Sequence, residues 1–351
     1  MSIFEHKGDR KNLRLLTEVP QRVVKECASA PAKWIFPNGP DCVSSCIACA
    51  DEPCRKIGES EQSVPGIDAL AGDLSSVLCP VNAIGWDATL ETPKIDPDTC
   101  IGCGLCVARC PVGAISVLEG IATVATDQSQ ESTPRTKTMP LSAGQLEQQD
   151  QIAELPTLES AEPIAKDIGV VGVTEVLENS SEAVQKAAVR SLLVAAGGSV
   201  SLSRKGDVHT RMDGTYATKG GALGSLEVEF GFDSLEALRA SLDDVAVLES
   251  RYGIPIADQV PLVVCGGLPR ERQGYWQVVL DIDRVLELKI RTATAGAMLL
   301  LVWNRKPFTA QVLDQLTPHF GSTSIRSQIE AALGRPVDIP RGLGGILEPE
   351  K

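Results

Sequence analysis

What the 351-residue chain lacks narrows its function first. It has no long apolar run: the longest, Ala297–Trp303, is seven residues, against the roughly 20 needed to span a bilayer. The opening stretch MSIFEHKGDRKNLRLL is polar and charged, with no apolar signal core. A cytoplasmic protein with no membrane association is the expectation. There is no Walker motif and no G-x-S-x-G. Gly220-Gly221-Ala222-Leu223-Gly224 is not followed directly by a helix pattern, so it fails as a dinucleotide fingerprint. Histidine is scarce, at three residues (His6, His209, His319). Any metal centre must therefore be built from other ligands.

Positive charge is in deficit too. The net charge is −13, and residues 1–125 and 126–168 each carry −5 of it, leaving −3 for the rest. An acidic first part does not suit nucleic acid. The nearly neutral last part leaves nucleic acid open as its partner. Otherwise the chain is ordinary: 43% apolar and 23% charged, as in soluble globular proteins, and long enough for about two domains.

What is present in excess is cysteine. Ten of the eleven lie between Cys27 and Cys110, and Cys265 stands apart. Without an export signal, such clustering reads as metal ligation rather than a disulfide framework. Cys100, Cys103, Cys106 and Cys110, followed by Pro111, form C-x2-C-x2-C-x3-C-P. Three thiolates on one tight loop can grip three irons of a [4Fe–4S] cube, and the fourth, before Pro, points to another cluster. Gly102 and Gly104 let the backbone turn closely around the sulfides.

A degenerate copy lies upstream. Cys79-Pro80-Val81-Asn82-Ala83-Ile84 parallels Cys110-Pro111-Val112-Gly113-Ala114-Ile115, which marks Cys79 as the fourth cysteine of the first copy. Its three partners come from Cys42, Cys46, Cys49 and Cys54. Cys46, Cys49 and Cys54 are favoured, and Cys42, Cys46 and Cys49 are the alternative. The 24 residues between Cys54 and Cys79 depart from the simple pattern. Cys27 reads as a small buried or exposed thiol.

The stretch of about 42–117 thus resembles a bacterial-type 2[4Fe–4S] dicluster ferredoxin. The resemblance implies a compact, pseudo-twofold fold with crossed ligation. Cluster I would take Cys46, Cys49, Cys54 and Cys110, and cluster II Cys79, Cys100, Cys103 and Cys106. It also implies one-electron transfer with a redox partner protein.

Residues 126–167, rich in Ser, Thr, Gln, Glu and Pro, read as a flexible acidic linker with a short helix near 143–155. It separates a domain of 1–125 from an α/β domain of 168–351. The expected fold class is α+β, with the second domain a mixed sheet carrying helices. Helices are expected at Ser181–Ala196 and at Ser234–Tyr252, the latter capped by Asp233. Strands are expected at Ser199–Ser203, Val208–Met212, Leu226–Phe230, Pro261–Gly266 and Ala297–Trp303, with Asp213-Gly214 as a hairpin turn. Residues 275–292 fit either a strand or a helix. Cys265 reads as core and His209 as an exposed strand residue.

Glu227 and Glu229 fall on one face of a strand, and Asp213 lies at the preceding turn. Three such carboxylates can hold Mg²⁺ for hydrolytic chemistry. The order helix, three strands, helix, strand over about 180–268 resembles the PD-(D/E)xK nucleases. Lys186, Arg190, Arg204, Lys205, Arg211 and Lys219 gather nearby in sequence. The leading expectation is an electron carrier with two [4Fe–4S] clusters whose partner the α/β domain recognises. A redox-linked, metal-dependent nuclease and a docking module with structural clusters are the alternatives.

Overall fold

The computed structural model describes residues 52–67, 75–87, 92–110, 115–118, 121–124, 163–204, 212–231, 234–316 and 323–350. Cys27, Cys42, Cys46, Cys49, Lys205, His209, Arg211, Asp233 and the helix expected near 143–155 lie outside them.

The internal repeat in the sequence becomes a repeat in structure. Each Cys-Pro copy leads five residues later into a strand, at Ile84 and at Ile115. After the short helical turn α1 (Glu59–Gln62), β1 (Ile84–Asp87) pairs antiparallel with β2 (Thr92–Ile95). The four-residue α2 (Leu105–Ala108) follows, and β3 (Ile115–Leu118) pairs antiparallel with β4 (Ile121–Val124). β2 packs beside β4, and Ile57, Leu78, Ile101, Leu105, Ile115 and Val117 fill the space beneath. The unusual insertion is closed at its base. Lys56 and Val77 form an antiparallel bridge, with Ile57 N–H to Ser76 O at 2.8 Å and Leu78 N–H to Arg55 O at 2.9 Å.

The second body is a three-layer α/β/α sandwich. Its helices α3 (Gly169–Glu178) and α4 (Glu182–Ala195) precede β5 (Ser199–Leu202), β6 (Gly214–Ala217) and β7 (Leu223–Glu229). Then come α5 (Ser234–Tyr252), β8 (Leu262–Cys265), α6 (Tyr275–Leu286), β9 (Arg291–Thr294) and α7 (Ala295–Trp303). The short helices α8 (Ala310–Gln315) and α9 (Arg326–Leu333) close the body. The strands lie in sequence order β5-β6-β7-β8-β9. The first three are antiparallel, and β7, β8 and β9 run parallel. The two parallel connections carry α5 and α6 on one face, as right-handed crossovers require. On the other face α4 packs on β5 and β7, with α3 and α7 packed on α4.

Several expectations change. Ala297–Trp303 is a helix, not a strand. All nine residues of α7 are buried, so no polar face survives to reveal a period of 3.6. Its start is set by Thr294, whose Oγ1 accepts from Ala297 N–H at 3.0 Å, a side-chain N-cap. Residues 275–292 divide into α6 and the start of β9. Gly214 opens β6 rather than turning a hairpin, and Met212 lies before that strand. The second body begins earlier than residue 168. Ile164 is buried and its N–H donates to Trp303 O at 2.9 Å. The buried Asp167 takes both Arg335 Nη atoms at 2.7 Å.

The two bodies share one continuous apolar core. Arg190 of α4 donates through Nη1 to Ser75 O at 2.9 Å and through Nη2 to Val77 O. Trp303, fully buried, donates through Nε1 to Cys103 O at 2.9 Å. Gly104 makes that approach fit. It sits at φ 72°, and a Cβ there would stand 3.1 Å from both Trp303 Nε1 and Ile164 Cγ2.

Candidate metal centre

Five of the expected ligands line one cavity: Cys79, Cys100, Cys103 and Cys106, expected together, and Cys54 from the other expected set, with Leu78, Ile101, Leu105 and other apolar residues between them. The loop 100–106 supplies three of the sulfurs, and the Cys79 turn supplies the fourth from across the pseudo-twofold. Backbone N–H groups already point at sulfur. Ala83 N–H meets Cys79 Sγ at 3.2 Å, while Gly102 and Ala122 N–H meet Cys100 Sγ at 3.4 and 3.3 Å.

The electrostatics say what belongs there. Burial raises the Cys103 thiol, and Cys79 and Cys100 raise it further. Burial likewise raises Cys106, with Cys103, Cys100 and Cys79 adding to it. Two such buried, neighbouring thiols become thiolates together only beside concentrated positive charge. Yet among the described residues no three Cys, His, Asp or Glu side chains converge on a single ion. Cysteine sulfurs lining an apolar cavity, three of them from one loop at ferredoxin spacing, are what an iron–sulfur cube takes.

Cys54 and Cys110 form a second pair. Both are buried. Desolvation pushes Cys54 up to about 12, and neighbouring Cys110 adds to the rise. Arg109 ties the two copies together at this point. Its Nε donates to Pro53 O at 2.8 Å, and Nη1 and Nη2 hold the Glu61 carboxylate at 2.7 and 2.9 Å. Their companions Cys46, Cys49 and Cys42 lie outside the described residues.

The expected carboxylate triad is not assembled. Asp213 and Glu227 do meet, since Asp213 N–H donates to Glu227 Oε1 at 3.1 Å. But Asp213 is engaged by Lys186 Nζ at 2.6 Å and by Val228 N–H at 2.9 Å. Glu229 turns to the Gly231 N–H. The third acid beside Glu227 is Asp244 of α5, not Glu229. Burial, then Asp213 and Asp244, push Glu227 up to about 10. The Lys186 ammonium lies on Asp213 where a cation was expected, burial favours the protonated form of Glu227, and among the described residues no three such side chains are grouped to hold a metal ion. Sequence reasoning missed Asp244 because it sits mid-helix among ordinary surface acids. It placed Arg190 among the basic residues near those acids and Trp303 in a strand, whereas Arg190 meets the Ser75 and Val77 carbonyls and Trp303 the Cys103 carbonyl. Cys265 is buried in β8, as core.

Hairpins in pairs, a Cys-Pro repeat and a cysteine-lined apolar cavity define a 4Fe–4S ferredoxin-type domain. The comparisons agree. The 4Fe–4S binding domain family matches residues 93–116. An uncharacterised ferredoxin of Methanocaldococcus jannaschii is 32% identical over 77 residues, or 22% of this chain. The chain spans 36% of that relative's length, about a third. No solved structure matches. Nothing in these likenesses supports the nuclease resemblance. The protein is an iron–sulfur protein with a ferredoxin-type domain. Among the described residues no helix is long and apolar enough to cross a membrane.

Proposed function

We propose that the chain carries two [4Fe–4S] clusters with crossed ligation and passes single electrons to a partner protein recognised by the α/β domain. The observation that carries this is the meeting of Cys79 with Cys100, Cys103 and Cys106 around one cavity. Cys110 neighbours Cys54, which supports crossed ligation, although Cys54 also reaches the first cavity. When bound, such clusters exchange one electron at a time with little structural change. The chain's own residues do the rest. The thiolates hold the irons, the apolar lining excludes water, and the N–H groups on sulfur offset its negative charge. Arg109 joins the segment of Cys54 to that of Cys110, and these two cysteines would help to hold the other centre.

The test is metal analysis of anaerobically prepared full-length protein. About eight irons and eight sulfides per chain are expected. Cys79→Ala removes the cluster held by Cys100, Cys103 and Cys106, Cys110→Ala removes the other, and Cys265→Ala leaves both. Four irons in the wild type, or zinc, would refute the two-cluster reading. Damage confined to each mutant's own copy would refute crossed ligation.

A further inference from the structure

The C-terminal turn of α7 brings a charge to the cluster region as well as an indole. Arg305 N–H donates to Val302 O at 3.0 Å and Lys306 N–H to Leu301 O at 2.8 Å. These are the paired hydrogen bonds of a Schellman stop. The stop places Arg305 at φ 55°, the left-handed position where glycine fits and a side chain is strained. An arginine held there against that preference calls for a use of its side chain.

That side chain crosses into the ferredoxin-type domain. Its Nη1 donates to Ala108 O at 3.4 Å, two residues before Cys110. Among the described residues its Nε and Nη2 are buried and find no hydrogen-bond partner. Buried N–H donors of a guanidinium rarely go unmatched. Burial lowers the arginine's pKa, and the interaction that opposes this is with Cys110. The buried, unmatched donors of the guanidinium, held two residues from Cys110 by the Ala108 contact, point to an anion beside Cys110.

We propose that Arg305 is the charge-compensating residue of the cluster that Cys110 helps to hold, so that the α/β domain sets that cluster's reduction potential. The inference rests on the two-cluster reading above. A [4Fe–4S] centre with four thiolates is anionic and gains one negative charge on taking up one electron. No bond in the protein breaks. A guanidinium nearby in a water-poor site favours the reduced form and raises the potential. The other cluster meets the neutral indole of Trp303 through Cys103 O and serves as an internal reference.

The experiment is a dithionite titration of the full chain, followed by electron paramagnetic resonance, with R305K, R305Q and R305G. R305G relieves the left-handed strain, so the fold is retained in at least one variant that lacks the charge. In R305Q and R305G one potential falls. At fixed ambient potential its ratio of reduced to oxidised cluster drops about tenfold, or 59 mV for a one-electron couple. R305K stays near wild type. The shifted cluster is the one lost in Cys110→Ala. Loss of that cluster alone in R305Q and R305G, with retention in R305K, also supports the contact. Unchanged potentials in R305Q and R305G, with about eight irons bound, overturn it. So does a shift confined to the cluster lost in Cys79→Ala. A wild type with about four irons and a silent Cys110→Ala instead removes the two-cluster reading and this inference with it.

Discussion

Replacing Glu227 with Gln changes how stability depends on pH, and the structure gives the size. Burial and the neighbouring Asp213 and Asp244 raise the Glu227 pKa from the ordinary 4.5 to about 10. Above the ordinary value the unfolded chain has released this proton and the folded chain still holds it. The folded state therefore binds more protons, and stability falls as pH rises until Glu227 ionises. One proton corresponds to about 1.4 kcal/mol per pH unit, or about 3 kcal/mol between pH 7 and pH 9. Asp244, raised to about 7, adds its own slope below that pH. Gln keeps an acceptor for Asp213 N–H and a donor for Asp244, but has no proton to lose. Anaerobic urea unfolding of both proteins at pH 6, 7, 8 and 9 measures the difference. Glu227→Gln should flatten the slope and be the more stable protein at pH 9. Parallel curves for the two proteins would show that Glu227 ionises normally and that the reasoning fails.

Two further outcomes follow from the same geometry. Gly104→Ala places a Cβ 3.1 Å from Trp303 Nε1 and Ile164 Cγ2 at φ 72°. It should cost about 1–2 kcal/mol for the left-handed backbone and about 1–3 more for overpacking, read as a lower Tm with faster iron loss. An unchanged Tm would mean that the indole does not sit against this loop. DNA and RNA incubated with Mg²⁺ or Mn²⁺ should stay intact, because Lys186 and a retained proton already balance Asp213 and Glu227. Cleavage by wild type that disappears in Glu227→Gln would overturn that account.

The cluster-binding loop was legible in the sequence because its constraint is local. Irons a fixed distance apart demand sulfurs at fixed spacings, and Cys100, Cys103 and Cys106 sit within seven residues. The Cys79 repeat was legible for the same reason, since two copies of one local solution look alike. Helix α5 shows itself because only one of its faces is buried: Leu238, Val245 and Leu248 recur at helical spacing. Where burial is complete, the signal vanishes, so α7 read as a strand. Pairings between distant segments left no trace at all. Lys186 on Asp213, Asp244 on Glu227, and Trp303 on Cys103 across 200 residues of sequence came only with the tertiary structure. A lysine, an aspartate or a tryptophan acquires such a role from what packs against it, and the neighbours on its own stretch of chain carry no record of that partner.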